Sequence, residues 1–341
     1  MKKAMKVATS ILVGYLSFSP QLHANYSEHP EADPFINTMV ENHKFDRQDI
    51  VRWLANAEKK ESIIKAMSRP AEKVKPWHEY RKHFISEQRI NGGAAFWRKH
   101  QATLEQAYRD YGVDPAIIVS IIGVETNYGK NTGSYKVIDA LTTLAFDYYT
   151  YHDKRESRKK FFTSELENFL LLAREQNRDP LSLKGSYAGA MGLGQFMPSS
   201  YRNYAVDYDN DQFADIWSNP TDAIASVANY FAKHGWRNGE AVATRAHISP
   251  SPDESSINKL HRPKESLSQL ADKGYTPVSE LPADSVALPM KFKGKYGPEY
   301  WLGLHNFYVI SRYNPRTKYA MAVYQLSELI RERNHELAKR H

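Results

Sequence analysis

One carboxylate, Glu125, stands at the end of an apolar segment and is the first candidate for chemistry in this chain. The segment spans residues 114–129 and reads DPAIIVSIIGVETNYG. Asp114 and Pro115 are typical of the N-cap and first residue of a helix, and Gly129 is predicted to end that helix in a left-handed conformation. The isoleucines and Glu125 recur at steps of three and four residues, so the acid continues the face that they bury.

The position of Glu125 predicts a weaker acid than an ordinary glutamate. Desolvation and the negative end of the helix dipole both disfavour the charged carboxylate, so we expect its pKa to rise until a proton is available near neutral pH. A general acid needs that property. The alternative is a structural acid that pairs with an arginine or caps a loop, because perturbed carboxylates mark only some functional sites.

A second candidate is the glycine-rich segment 184–204, which reads KGSYAGAMGLGQFMPSSYRNY. It lacks the GKS or GKT ending of a P-loop, which excludes that kind of nucleotide site. Clustered glycines indicate that another helix, or a sugar ring, comes close to the main chain. The sequence predicts a loop followed by a helix, in which Ser186, Gln195 and Phe196 offer a hydroxyl, an amide and a stacking face.

A third candidate is the acidic loop 207–215, which places aspartates at alternating positions as in a calcium-binding EF-hand loop. Gln212 replaces the turn glycine of that motif, and Ser218 replaces its last, bidentate glutamate. Hard oxygen ligands favour Ca²⁺, whereas a solvated acidic turn is the alternative. The candidate ligands are the carboxylates of Asp207, Asp209, Asp211 and Asp222 and the carbonyl of Phe213.

The elements that must position these residues are predicted to be mainly helical. At 341 residues the chain is long enough for two or three domains. Residues 286–292 alternate like a strand within a β-rich insertion at 241–300, and 306–313 (NFYVISRY) are strand-like or extended. Apolar spacing predicts helices at 34–42, 47–67, 86–111, 156–175, 221–234 and 319–337.

The composition excludes several classes of protein. The chain has no cysteine, so it holds no disulfide, no Cys-ligated metal and no lipid anchor on a cysteine. Residues 1–24 have the basic start and short apolar run of an export signal, with an N-terminal core helix as the alternative. That run is too short for a permanent membrane span. The net charge of +7 is spread without a dense basic run, which argues against nucleic acid as a partner.

The catalytic motifs of two common hydrolase classes are missing from the sequence. It contains no GxSxG elbow and no HExxH zinc motif. Ordinary glycosidases use two carboxylates, yet no second acid recurs at helical spacing around Glu125. A single acid of raised pKa is sufficient when the substrate itself supplies the nucleophile.

Several long motifs in order resemble the membrane-bound lytic murein transglycosylase B family of bacterial cell-wall enzymes. They are GVETNYG, KGSYAGAMGLGQFMPSSY, DAIASVANYF and RYN. The resemblance implies a mainly α (α+β) fold, with a lysozyme-like helical core domain at 114–240 and 301–318. It also implies an N-terminal helical domain at 25–113, joined by the C-terminal helix 319–341, and a small β-rich domain at 241–300.

The resemblance further implies cleavage of the β-1,4 bond between N-acetylmuramic acid and N-acetylglucosamine in peptidoglycan, giving 1,6-anhydromuropeptides. Glu125 matches the single catalytic acid and base of the family, and the acidic loop matches its calcium site. No organic cofactor is implied. Positions in the substrate groove match Ser186, Gln195, Phe196, Tyr230, Tyr313, Asn314, Tyr80 and Tyr319.

The partners expected from this resemblance are peptidoglycan strands and cell-wall synthesis enzymes that recruit the protein. The protein is expected to be a monomer in the periplasm. Two alternatives stay open at this point. One is a muramidase that uses water, and the other is a peptidoglycan-binding or scaffolding module without activity. The sequence does not distinguish cleavage at chain ends from cleavage within strands.

Overall fold

The computed structural model describes residues 25–68, 75–148 and 155–339, so the predicted export signal 1–24 lies outside the described residues. Helices dominate this part of the chain, as predicted. They are α1 (Ala32–His43), α2 (Arg47–Ala55), α3 (Glu61–Met67), α4 (Trp77–Tyr80), α5 (Glu87–Lys99), α6 (Gln101–Tyr111), α7 (Pro115–Thr126), α8 (Val137–Thr142), α9 (Arg155–Glu175), α10 (Pro198–Tyr204), α11 (Pro220–Lys233), α12 (Leu267–Asp272), α13 (His305–Tyr313) and α14 (Thr317–Ala338).

The strands form two antiparallel sheets. A two-stranded ribbon pairs β1 (Tyr135–Lys136) with β2 (Lys184–Gly185) at the start of the glycine-rich segment. The larger sheet has the order β4-β6-β7-β3-β5 and its own small core, formed by Leu270, Tyr275, Ala287, Leu302 and Leu304. Its strands are β3 (Ala243–Ile248), β4 (Glu265–Ser266), β5 (Tyr275–Pro277), β6 (Val286–Lys293) and β7 (Pro298–Gly303). The predicted strand at 286–292 is therefore confirmed.

Helix α7 lies at the centre of the main core, with almost every side chain buried. The last helix, α14, runs antiparallel along it and contacts it at both ends and in the middle. Arg331 of α14 pairs with Asp114 before α7, and the Ser120 hydroxyl donates to the Val323 carbonyl oxygen over 2.7 Å. At the far end, the Tyr319 hydroxyl meets the Glu125 carboxylate. A residue near the C-terminus is thereby brought beside the candidate acid.

The segment 306–313 was wrongly predicted to be strand-like, because the structure shows helix α13 there. Its aromatic and β-branched residues favour a strand locally, but burial decides the outcome. Phe307 and Ile310 are completely buried in the main core. The Asn306 side chain accepts the Arg237 N–H over 3.0 Å and donates to the Arg237 carbonyl over 2.8 Å, which anchors the start of the helix.

Two long predicted helices are each divided. The prediction at 47–67 covers α2 and α3, and that at 86–111 covers α5 and α6, which meet at His100. His100 adopts φ −115° and ψ 24°, outside the helical region, and so reorients the chain between α5 and α6. Within the described ranges, no helix combines the length and the apolar character that crossing a bilayer requires.

Candidate active site

Helix α7 carries Glu125 into the core and begins as the sequence predicts. The Asp114 carboxylate accepts the Ala116 N–H over 2.8 Å, and Pro115 occupies the first turn. The helix ends earlier than predicted, because Asn127, with φ 52°, is the left-handed C-cap. The prediction that Gly129 ends the helix is wrong, although Gly129 is also left-handed, with φ 84°, in the turn that follows.

Side-chain hydrogen bonds join the end of α7 to two other segments of the chain. The Thr126 hydroxyl donates to the Leu193 carbonyl of the glycine-rich segment over 2.9 Å. The Arg89 guanidinium donates to the carbonyl oxygens of Gly123 and Val124 in the last turn of the helix, where backbone carbonyls begin to lack helical partners. Since Glu125 follows directly, these contacts restrict the backbone from which its carboxylate projects.

Tyr128 folds back against α7 and fits into a space that only glycine leaves open. A Cβ added at Gly123 would come within 2.6 Å of the Tyr128 hydroxyl oxygen, and one added at Gly92 within 2.9 Å of its ring. The Tyr128 hydroxyl donates to the Arg89 carbonyl over 2.6 Å. The ring therefore joins α5 to the end of α7.

The Glu125 carboxylate accepts a hydrogen bond from the Tyr319 hydroxyl at 2.5 Å. Burial raises the pKa of Glu125 to about 7, and the bond from Tyr319 opposes that rise by stabilising the anion. Glu125 is nevertheless partly exposed, whereas Tyr319 is 3% exposed. The acid is therefore both accessible to a ligand and able to hold a proton near neutral pH.

Three tyrosines lie within electrostatic reach of Glu125. Burial, followed by the charge of Glu125, raises the pKa values of Tyr313 and Tyr319 well above their ordinary range. Burial raises the pKa of Tyr80 as well, and the charge of Glu125 adds to this rise. All three hydroxyls therefore stay protonated at neutral pH, and the Tyr319 hydroxyl uses its proton to donate to the carboxylate.

An aromatic cluster continues from Tyr313 away from the acid. The Phe196 and Tyr230 rings lie 5.9 and 4.8 Å from the Tyr313 ring, measured between centroids. The Tyr313 hydroxyl donates to the Gly194 carbonyl, and the Tyr230 hydroxyl donates to the Arg312 carbonyl over 2.6 Å. Phe196 and Tyr230 are only 3% and 7% exposed, so they support the floor of the site and present little free face.

The glycine-rich segment forms a tight loop against this cluster. The Ser186 hydroxyl oxygen accepts the Ala190 N–H over 3.1 Å, which leaves its own proton available to a ligand. The Gln195 amide donates to the carbonyls of Thr132 and Gly192, at 3.1 and 2.9 Å. A Cβ added at Gly192 would lie 2.4 Å from the Ile216 carbonyl oxygen, so glycine is required for this close approach.

The acidic loop lies between α10 and α11 and has a defined form. Carboxylate oxygens of Asp207, Asp209 and Asp211 come within 4.8 Å of one another. The Asp207 carboxylate accepts N–H groups of the loop itself, including that of Gln212 over 2.8 Å. Gln212 adopts φ 76°, so it takes the left-handed conformation of the glycine that it replaces in the motif.

Asp222 differs from the other predicted ligands. It is completely buried at the start of α11, and its two oxygens accept the N–H groups of Tyr208 and Asp215, each over 2.8 Å. It does not belong to the group of three clustered carboxylates. The Phe213 carbonyl accepts the Asp215 N–H over 2.8 Å, and Arg178 lies 3.8 Å from the centre of the Phe213 ring.

Comparison with known proteins identifies the family. A family model of the transglycosylase SLT domain matches residues 27–328. The chain is also 43% identical over 319 residues to the membrane-bound lytic murein transglycosylase B of Escherichia coli strain K12, covering 91% of this chain and 85% of that protein. The chain belongs to the SLT transglycosylase family.

Solved structures agree with this assignment. The soluble lytic transglycosylase SltB1 from Pseudomonas aeruginosa is 51% identical, with a TM-score of 0.83 over 89% of this chain and 99% of that one. The Escherichia coli lytic transglycosylase Slt35 in complex with calcium is 42% identical, with a TM-score of 0.82 over 95% and 99%. The family resemblance and the mainly α, lysozyme-like fold are confirmed, and the chain is a lytic transglycosylase acting on peptidoglycan.

The structure of this lytic transglycosylase brings several predicted residues together. Tyr319 contacts Glu125, Tyr80 and Tyr313 lie within its electrostatic reach, and Phe196 and Tyr230 pack against Tyr313. Asn314 follows Tyr313 directly and is partly exposed at the end of α13. Ser186 and Gln195 lie in the adjoining glycine-rich loop, whereas the acidic loop is a separate site beyond α10.

Sequence reasoning missed three residues that hold the site. These are Arg89, Thr126 and Tyr128, which act on the backbone at the end of α7. The adjacent glycines 92 and 93 inside α5 were an available signal, because glycines within a helix often mark the close approach of another group.

Proposed function

We propose that Glu125 is the single catalytic acid and base of this lytic transglycosylase. The observation that supports this most directly is a carboxyl group whose pKa is about 7, accessible to a ligand and hydrogen-bonded to one tyrosine. Among the residues described, no second acid contributes to the pKa shifts of Glu125, Tyr80 or Tyr313. This arrangement suits a reaction in which the substrate supplies its own nucleophile.

The proposed reaction cleaves the β-1,4 bond between N-acetylmuramic acid and N-acetylglucosamine. Protonated Glu125 gives its proton to the glycosidic oxygen as the bond from C1 to that oxygen breaks, assisted by the muramoyl N-acetyl oxygen. The C6 hydroxyl oxygen then attacks C1, and its proton returns to the Glu125 carboxylate. No water is consumed, and the product ends in 1,6-anhydromuramic acid.

The remaining groove residues are proposed to position the sugar. Within the described part of the chain, the Ser186 hydroxyl donates no hydrogen bond and the Gln195 side-chain oxygen accepts none. Both groups are therefore proposed to bind the sugar. Tyr80 and Asn314 are partly exposed and are proposed to contact substrate. Phe196, Tyr230 and Tyr313 are proposed to support these contacts from beneath, and Tyr319 to orient the carboxyl of Glu125.

Mass spectrometry of digested peptidoglycan tests the reaction. The wild-type enzyme is expected to release muropeptides with anhydro ends, which are lighter by one water than hydrolysed ends. E125Q keeps an acceptor for the Tyr319 hydroxyl and loses the proton donor, so release is expected to stop. Reducing ends instead would indicate a muramidase, and release by E125Q at the wild-type rate would refute the role of Glu125.

A binding module without activity is the alternative of a different class. It would bind peptidoglycan strands yet release no soluble muropeptides, so the same digestion separates the two. The pKa of Glu125, raised to about 7 at an accessible position, favours the enzyme, because a binding surface gains nothing from a proton held near neutral pH.

We further propose that the acidic loop binds Ca²⁺. The donor set fits a hard cation, because three carboxylates already converge and the loop geometry is fixed by its own N–H bonds. Asp207, Asp209 and Asp211 would hold the ion, with the Phe213 carbonyl and Asp222 as the remaining predicted ligands. The ion would stabilise the loop and the start of α11 and takes no part in the proton transfers.

Thermal unfolding with and without Ca²⁺ tests this site. At a concentration one hundred times the dissociation constant, a ligand of the native state adds about 2.7 kcal/mol of stability. The unfolding midpoint is therefore expected to rise in wild type and to stay unchanged in D209N. D284N, which alters an exposed aspartate in the β-rich part, is the control and should respond like wild type. Equal responses of all three proteins would refute the site.

We propose that residues 1–24 direct export and that the enzyme acts in the periplasm as a monomer. The basic start and short apolar run of that segment support this. The proposed domains keep the predicted boundaries, with 25–113 and 319–341 forming one unit, 114–240 and 301–318 the catalytic core, and 241–300 the β-rich unit. Recruitment by cell-wall synthesis enzymes is part of the same proposal.

A further inference from the structure

A cleft of about 820 Å³ separates the α4 region from the hairpin that joins β6 to β7. One wall is formed by His78, Glu79, Arg81 and Lys82, and the other by Arg245, Lys295, Tyr296 and Glu299. Tyr80, whose pKa is raised in part by the charge of Glu125, lies in the sequence between Glu79 and Arg81. The cleft therefore adjoins the catalytic groove.

The two walls of the cleft are held by contacts beneath it. Trp77 is completely buried, and its ring lies 5.2 Å from the Phe292 ring of β6. The His78 Nδ1 atom lies 3.2 Å from the Lys293 carbonyl oxygen at the end of the same strand. Because the packing fixes both walls, a ligand would find the cleft already formed.

The charges that line the cleft are unbalanced. Arg245 pairs with Glu299 over 3.3 Å, and the His78 ring lies 3.7 Å from Glu79. In contrast, Arg81, Lys82 and Lys295 form no ion pair within the described ranges, although Arg81 and Lys295 lie over aromatic rings. The four cationic side chains of the lining therefore outnumber its two carboxylates, Glu79 and Glu299, and this positive excess suits an anionic ligand.

We propose that this cleft binds the free carboxylates of a peptide stem carried by the glycan strand in the catalytic groove. This inference rests on the proposed function. While the lactyl carboxyl is joined to the stem as an amide the sugars of the strand are neutral, so the negative charge of the substrate resides in its peptides. Glu79 and Arg81, the chain neighbours of Tyr80, line the cleft, so a stem that extends by about 3.3–3.6 Å per residue from a sugar beside Tyr80 would enter it.

Binding by E125Q protein tests the proposal without requiring turnover. The dissociation constant is measured for glycan strands that carry stems and for the same strands stripped of peptides by an amidase. Adding K82Q and K295Q removes two exposed charges that make no ion pair in the part of the chain that is described. At about 0.2–1 kcal/mol per exposed charge, the pair is expected to weaken binding of stem-bearing strands roughly 2-fold to 30-fold.

The matched control carries K65Q and K99Q, which remove two exposed lysines outside the cleft. Support for the proposal requires weaker binding of stem-bearing strands in the cleft variant only, with stripped strands bound equally by all proteins. Equal weakening for both kinds of strand would show that the cleft binds the sugars, and no weakening would show that it binds neither. Both results overturn the proposal, whereas the digestion products of the wild-type enzyme test the reaction separately.

Discussion

Replacing Glu125 with glutamine is expected to stabilise the fold at alkaline pH while it abolishes turnover. The pKa of Glu125 in the folded protein is about 7, against an ordinary value of 4.5, because burial disfavours the charged form. Below about pH 4.5 the acid is protonated in the folded and unfolded states alike, so it costs no stability. The cost grows as the pH rises through 4.5 and is complete above about 7.

The size of this effect follows from the difference of about 2.5 pKa units. At 1.36 kcal/mol per unit the full cost is about 3 kcal/mol above pH 8, and less than about 1 kcal/mol at pH 5. Glutamine never carries the charge, so E125Q recovers this free energy only at the higher pH. For a chain of this length, 3 kcal/mol corresponds to a rise of roughly 4–5 °C in the unfolding midpoint.

The measurement is thermal unfolding of wild type and E125Q at pH 5 and pH 8.5. E332Q, which neutralises an exposed acid on α14, is the control and should shift the midpoint little at either pH. If E125Q changes the midpoint equally at both values, or lowers it at pH 8.5, Glu125 is not desolvated in the way that the mechanism requires. The same raised pKa predicts that wild-type activity falls as the pH increases beyond about 7.

Three further substitutions test the surroundings of Glu125. Y319F removes the donor that stabilises the carboxylate, so the alkaline limb of the pH–rate profile should move to higher pH; an unchanged limb would contradict this role. R89M removes the guanidinium donor to the Gly123 and Val124 carbonyls and should lower kcat about 10-fold or more with little change in KM, as steady-state kinetics would show. G192A should lower stability by about 2–4 kcal/mol in urea unfolding, because its Cβ meets the Ile216 carbonyl. G239A, where φ is also positive but no atom lies within 4 Å, should cost only about 1 kcal/mol, and equal losses would refute the steric argument.

Local chemistry makes helix α7 predictable from sequence. Asp114 and Pro115 specify the start of α7, and the apolar run that follows can only be buried. Burial then implies a raised pKa for an acid on that face, which the structure supports. The glycines of segment 184–204 likewise indicated close approach of the main chain, and Gly192 shows it directly.

Long-range pairing and packing could not be predicted in the same way. The bond from Tyr319 to Glu125 joins residues 194 positions apart, and no periodicity encodes such a contact. Residues 306–313 have strand-like composition and form a helix because their surroundings bury Phe307 and Ile310. Asp222 is predicted to be a Ca²⁺ ligand from its spacing in the sequence alone. Its two oxygens accept backbone N–H groups of the loop, so its role in binding Ca²⁺ stays a prediction.

The position of α14 delays completion of the active site during synthesis of the chain. Tyr319 and Arg331, which meet the two ends of α7, belong to α14, and Tyr319 is translated 194 residues after Glu125. A growing chain that already includes Glu125 therefore lacks the tyrosine that donates to its carboxylate and the helix that packs along α7. The surroundings of Glu125 are thus completed only after α14 has been translated.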